Sequence, residues 1–142
     1  MLRVILTLGL ALLWMGSGWP QEQPIRVYLN GSQIDFPDAQ PIIKYKRVLV
    51  PMRSIFEKLG ATLTFDKYQM YVTAVRGDRK VELWVGSRHA MVDGSEVLFD
   101  TAVAIHEGRV MVPLRFLSET LSDVRVHWDA KSRSVTLRTG QK

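Results

Sequence analysis

Apolar and polar residues alternate along most of this chain, and turn dipeptides punctuate the alternation. Ile25-Arg26-Val27-Tyr28-Leu29 alternates, Asn30-Gly31 is the pair best able to hold positive φ at both central turn positions, and Gln33-Ile34-Asp35-Phe36 alternates again. That pattern predicts a β-hairpin. His89-Ala90-Met91-Val92, Asp93-Gly94 and Glu96-Val97-Leu98-Phe99 predict a second with the same turn chemistry. A third is expected where Tyr71 to Arg76 meets Lys80 to Val85 across Gly77-Asp78. Strands over 62–65, 124–128 and 134–138 complete a mostly antiparallel set.

Twice the period changes from two to that of a helix. Val48-Leu49-Val50 and Val110-Met111-Val112 read as buried strands, and each runs into a proline, Pro51 or Pro113. Proline suits the first helical position, because its missing N–H is an orphan there in any case and its φ is already helical. Beyond it Met52, Ile55, Phe56 and Leu59 share one face, as do Leu114, Leu117 and Leu121. Burying three such side chains is worth roughly 5–9 kcal/mol per helix before chain entropy is subtracted. Gly60 is placed to end the first helix in a left-handed conformation, and Ser122-Asp123 serves less well in the second. The expected fold class is α+β, an antiparallel β-sheet closed by two short helices.

The strand-to-helix segment is itself repeated. Residues 47–59 and 109–121 share seven identities in thirteen positions at a shift of 62, giving a VPxR motif followed by Glu and Leu in both copies. Asn30-Gly31-Ser32 matches Asp93-Gly94-Ser95, and Phe65-Asp66 matches Trp128-Asp129, both at a shift of 63. The expectation is an internal duplication with units of about 25–76 and 80–138 that share one core, since a unit near 60 residues buries only marginal surface alone. Arg53 and Glu57, and likewise Arg115 and Glu119, stand four apart and are expected to pair in a structural role, worth a few tenths of a kcal/mol if exposed; recurrence in both copies points further to the Arg reaching back to strand carbonyls or stacking on Phe65 or Trp128, with the Glu holding its guanidinium.

The N-terminus reads as an export signal over 1–18, with Arg3 ahead of an apolar run from Val4 to Met15 and small residues at Gly16-Ser17-Gly18. Twelve apolar residues fall short of the roughly 20 that span a bilayer, so no stable membrane insertion is expected after cleavage. A linker at 19–24, a domain at 25–138 and a tail at 139–142 follow, and the chain is expected to be secreted or associated with the cell envelope. There is no cysteine, hence neither a disulfide nor a lipid-anchor thiol. The formal net charge of +5 is dispersed, with acids between the bases, which speaks against nucleic-acid binding.

The spacing NGxxxxF, then RxLVPxRxxxExLGAxxxFD, then VDGxxxxF, RxMVPLRFxxExL and a terminal HWD resembles the copper amine oxidase N-terminal-like domain, across nearly all of 25–138. The resemblance implies a small extracytoplasmic module, the stalk of some amine oxidases and more often a part of secreted bacterial envelope proteins. It implies a spacer or binding role without copper or oxidase chemistry. Ser122-Asp123 departs from the family's Gly-Ala at the helix end.

The residues agree with a module that uses no cofactor. No Asn-Tyr pair is present to form a quinone, and His89, His106 and His127 are too far apart in sequence to ligate from one strand or helical turn. No catalytic residue is assigned, and no metal ligand. His89 is expected on a strand and His106 in a loop. Asp66 and Asp129 recur at strand ends, where Asp ordinarily starts a turn, rather than as a glycosidase pair. The candidate ligand contacts are aromatic: Tyr45 and Tyr68 in loops, and Trp84 on a strand, whose ring faces suit the apolar side of a sugar. Trp128 follows the core period. Pro51, Arg53, Glu57, Pro113, Arg115 and Glu119 form the structural motif. The expected function is a non-catalytic spacer or binding domain at the cell envelope, for peptidoglycan or another glycan. The alternative is a secreted module that binds a protein partner or acts like an inhibitor; a metal-dependent or glycan-cleaving enzyme ranks behind both.

Overall fold

The computed structural model describes Gly18 and residues 20–140, so the expected export signal lies almost wholly outside the described residues. The first hairpin forms as β1 (Arg26–Leu29) and β2 (Ser32–Ile34), with Asn30 at φ 50° and Gly31 at φ 87° between them. β3 (Ile42–Lys44) and β4 (Arg47–Pro51) follow, then α1 (Met52–Lys58), β5 (Thr62–Asp66), β6 (Tyr71–Arg76) and β7 (Arg79–Trp84). The second half runs through β8 (His89–Val92), β9 (Ser95–Leu98), β10 (Ala104–His106), β11 (Arg109–Pro113), α2 (Leu114–Thr120), β12 (Val124–Asp129) and β13 (Ser134–Thr139). β13 therefore takes in Thr139, which the sequence reading had put in the tail.

Three sheets result, ordered β12-β13-β1-β2, β10-β11-β4-β3 and β5-β6-β7-β8-β9. Every pairing is antiparallel except β1 against β13. With the two helices, this is the mostly antiparallel β arrangement expected of an α+β chain.

Register recurs between the halves. Ile42↔Leu49 and Lys44↔Arg47 in the β3–β4 hairpin become Ala104↔Met111 and His106↔Arg109 in the β10–β11 hairpin, each 62 residues later. Asp66↔Tyr71 becomes Asp129↔Ser134, 63 later. At the centre Leu49↔Pro113, Val50↔Val112 and Pro51↔Met111 map onto themselves when the halves are exchanged, so β4 and β11 meet about a local two-fold axis.

Neither half closes its own layers. The β1–β2 hairpin sits on β13 of the other half, and the β8–β9 hairpin joins β6 through β7. α1 packs on β5 but also on β11, and α2 packs on β12 but also on β4. One cluster consequently gathers Val27, Ile55, Phe56 and Leu83 with Val112, Phe116, Leu117 and Leu137, all fully buried. Phe116 links the helices, its ring centroid 6.0 Å from Phe56 and 4.9 Å from Phe99. Phe116 lies off the apolar face formed by Leu114, Leu117 and Leu121, and is buried because α2 is covered on two sides.

The prolines sit one position earlier than expected. Pro51 (φ −61°, ψ 116°) and Pro113 (φ −58°, ψ 144°) end their strands as N-caps, and the helices begin at Met52 and Leu114. Each is still paired in the central ladder, which keeps ψ extended while φ already has its helical value. Gly60 ends α1 at φ 85° with its N–H on the Glu57 carbonyl at 3.0 Å, whereas α2 ends at an extended Leu121.

Candidate functional site

The first candidate contacts lie apart. Tyr45 is 78% exposed in the β3–β4 turn and Tyr68 is 87% exposed in the β5–β6 turn, each with a neighbouring ammonium near its ring, Lys44 at 5.3 Å and Lys67 at 5.2 Å. Trp84 ends β7, 39% exposed, its ring tilted 42° against that of Tyr71 at 5.1 Å between centroids. The Tyr71 hydroxyl is held by Glu82. No ring contact links the three candidates among the described residues.

What the fold does bring together is a pair of matching clefts, one on each side of the two-fold axis. The cleft at Phe65, of about 150 Å³, is bordered by Pro51, Met52 and Arg53 from the start of α1. From the other half it takes Gly108, Arg109 and Val110, and Asp38 closes it. The cleft at Trp128, of about 370 Å³, has Pro113, Leu114 and Arg115 at the start of α2, with Lys46, Arg47, Val48 and Asp100. All eight residues of the second cleft have their counterparts in the first at offsets of 62 or 63.

Each cleft is tied by an ion pair that crosses the halves. Arg47 donates from Nε to Asp100 at 2.8 Å and from Nη2 at 2.6 Å, and Arg109 Nη2 meets Asp38 at 2.9 Å. The hydrogen bond from Arg47, joined by its charge, by a hydrogen bond from Thr101 and last by the charge of Arg115, holds the Asp100 carboxyl below its ordinary range; Asp100 in turn raises Arg47. These four residues were not among the sequence candidates. The available signal was the recurrence of Asp38 and Asp100 at the same offset as the two arginines.

The motif residues divide. Arg53 pairs with Glu57 at 3.1 Å as expected. The expected Arg115–Glu119 pair is not formed; Arg115 lines its cleft instead, and its charge acts on Asp100. Arg53 shares its cleft with Phe65, which is 38% exposed, and Arg115 shares its own with Trp128. Trp128 packs partly against the core and partly lines the cleft, so the core period alone misjudged it.

The acidic and imidazole groups are engaged locally. Asp66 Oδ1 accepts from the N–H of Tyr68 at 2.9 Å and Gln69 at 3.1 Å, and Asp129 Oδ1 accepts from Lys131 at 2.9 Å and Ser132 at 3.4 Å. The two carboxylates start equivalent turns on different sheets. His89 Nδ1 lies 2.6 Å from Glu96, and His106 ends β10 rather than lying in a loop. Among the described residues no three His, Asp or Glu side chains converge as metal ligands would.

With this geometry in view, a family model for the copper amine oxidase N-terminal domain matches residues 28–140, and the chain belongs to that family. It is a family of non-catalytic domains. A search of curated proteins gave no significant match.

Proposed function

We propose that this protein is a secreted, non-catalytic module that spaces or binds at the cell envelope, with peptidoglycan or another glycan as its ligand, and that its halves descend from one duplicated unit. The observation that carries the reading is the pair of matching clefts, each setting an aromatic ring beside an Arg–Asp pair. A ring face takes the apolar side of a pyranose while guanidinium and carboxylate take hydroxyls. Tyr45 and Tyr68, proud of the surface in two separate hairpin turns, are further contacts, and Trp84 is a third platform. Registers repeated at 62 and 63 residues support the duplication. The apolar run at Val4 to Met15 supports export, and the family supports a role without a cofactor.

Retention of the purified protein on isolated cell wall at low salt tests the binding role. Tyr45→Ala and Tyr68→Ala should each weaken retention, and a wild-type protein that washes straight through removes it. Export is tested by N-terminal sequencing of the extracytoplasmic fraction, where a mature chain beginning at Trp19 is expected. A second reading, strand addition by a protein partner, is favoured by Ile43 and Ile105, each 44% exposed on the edge strands β3 and β10. Recovery of one stoichiometric partner from the native envelope would select it.

A further inference from the structure

The two clefts match in position but differ in charge. We infer that the cleft at Trp128 is an anion-selective subsite that takes a carboxylate-bearing sugar ring of an acidic polysaccharide, and that the cleft at Phe65 is not. The inference deepens the proposed glycan binding and rests on it.

Three cations, Lys46, Arg47 and Arg115, face one carboxylate, Asp100, in the Trp128 cleft, a net of two positive charges. Its counterpart holds two cations, Arg53 and Arg109, against Asp38, and Arg53 is already neutralised by Glu57 at 3.1 Å. Arg47 is likewise consumed by Asp100. Lys46 and Arg115 remain, neither in an ion pair among the described residues, and both are exposed at the cleft. A guanidinium and an ammonium flanking an indole match a ring that carries a carboxylate: the ring stacks, and the fork and the point charge bind the anion.

A difference between the two matching turns bears on the same cleft. Lys46 stands at φ 60°, directly after Tyr45 at φ 51°, while the matching turn has Glu107 at φ 50° and Gly108 at φ 74°. Glycine takes that conformation freely and lysine does not. The protein therefore keeps a strained lysine where its other half has the unstrained residue, and that lysine is among the residues that line the cleft. Asp100 also borders the adjoining apolar cleft of about 490 Å³ that contains Tyr45, so a polymer leaving the Trp128 subsite meets that ring next.

Titration calorimetry of the full chain against polygalacturonate, neutral dextran and poly(glycerol phosphate) tests this. Polygalacturonate should bind best, and binding should fall steeply by about 0.5 M NaCl, where exposed charges are screened. Lys46→Gly combined with Arg115→Gln should weaken polygalacturonate at least about tenfold, from two charges at a few-fold each, whereas Arg53→Gln in the other cleft should weaken it clearly less and Lys58→Gln, exposed outside both clefts, should change it less than about twofold. A thermal melt of each variant verifies folding. Equal affinity for dextran, or equal loss in Arg53→Gln, overturns the subsite while leaving wall binding intact. Poly(glycerol phosphate) binding as tightly as polygalacturonate also overturns it, since that polymer has no sugar ring to stack. No binding to any polymer, together with no retention on cell wall, removes both the subsite and the glycan role.

Discussion

Lys46→Gly is expected to make the protein more stable, although it deletes a charged side chain. Lys46 holds φ 60° in the turn between β3 and β4, and a non-glycine residue there costs about 1–2 kcal/mol. Glycine removes that cost but returns about 0.4–1 kcal/mol through the greater freedom of the unfolded chain. No ion pair is lost among the described residues, so the net gain lies between about 0 and 1.6 kcal/mol, centred on about 0.8. For a domain of this size that raises Tm by about 2–5 °C in calorimetry. The molecule carries its own control. Gly108 occupies the corresponding position at φ 74°, and a Cβ built there meets nothing within 4 Å, so Gly108→Lys should be destabilised by a similar amount through torsion alone. A drop in Tm for Lys46→Gly, or no change for Gly108→Lys, would refute the torsional argument and with it the claim that Lys46 is kept at the expense of stability.

Arg76 ties the two helix ends together, donating from Nε to the Leu59 carbonyl at 2.7 Å and from Nη1 to Asp123 at 2.6 Å. Arg76→Ala should cost about 1–2 kcal/mol in denaturant unfolding, mostly from the carbonyl bond because Asp123 is partly exposed. Phe116→Ala opens the centre of the shared core and should cost about 3–5 kcal/mol, with both halves unfolding together in one less stable transition; separate transitions for the two halves would contradict the common core. Four carboxyls are held below their ordinary range: Asp100 by Arg47, Asp123 by Arg76, Glu82 by Lys80 and then Tyr71, and Asp129 by Ser132. A depressed folded-state pKa contributes stability that is fully present above the unfolded value, about 4, and is lost as pH falls through the folded one. Tm should therefore stay level between about pH 7 and pH 5 and decline below about pH 4; a rise on acidification would reverse the sign.

Local chemistry made much of the fold legible. Asn30-Gly31, Asp93-Gly94 and Gly77-Asp78 each marked a hairpin, and period-two alternation located both its strands, because positive φ and pleat alternation depend on few neighbours. β3 and β10 escaped notice for the same reason in reverse: Tyr45-Lys46 is a poor left-handed turn, and a three-residue strand carries too little periodicity to register. Phe116 and Trp128 were misjudged because burial on a second face comes from elements remote in sequence. The clefts were half visible. Their aromatic, proline and arginine positions recur in the sequence, but nothing local says that Arg47 reaches Asp100, or Arg109 reaches Asp38, across the halves.

By itself the sequence determined the hairpins, the two strand-to-helix junctions with the apolar faces that follow them, the end of α1 at Gly60, and the repeated spacing that relates the halves. These follow from backbone torsion preferences and side-chain periodicity, both short-range. Only the tertiary structure decided that the halves share strands and helices across one core, that Arg115 lines a cleft without pairing with Glu119, and that one of two matching clefts gathers the surplus charge. Those outcomes depend on which surfaces are buried together, and burial is a property of the assembled chain rather than of any stretch of it.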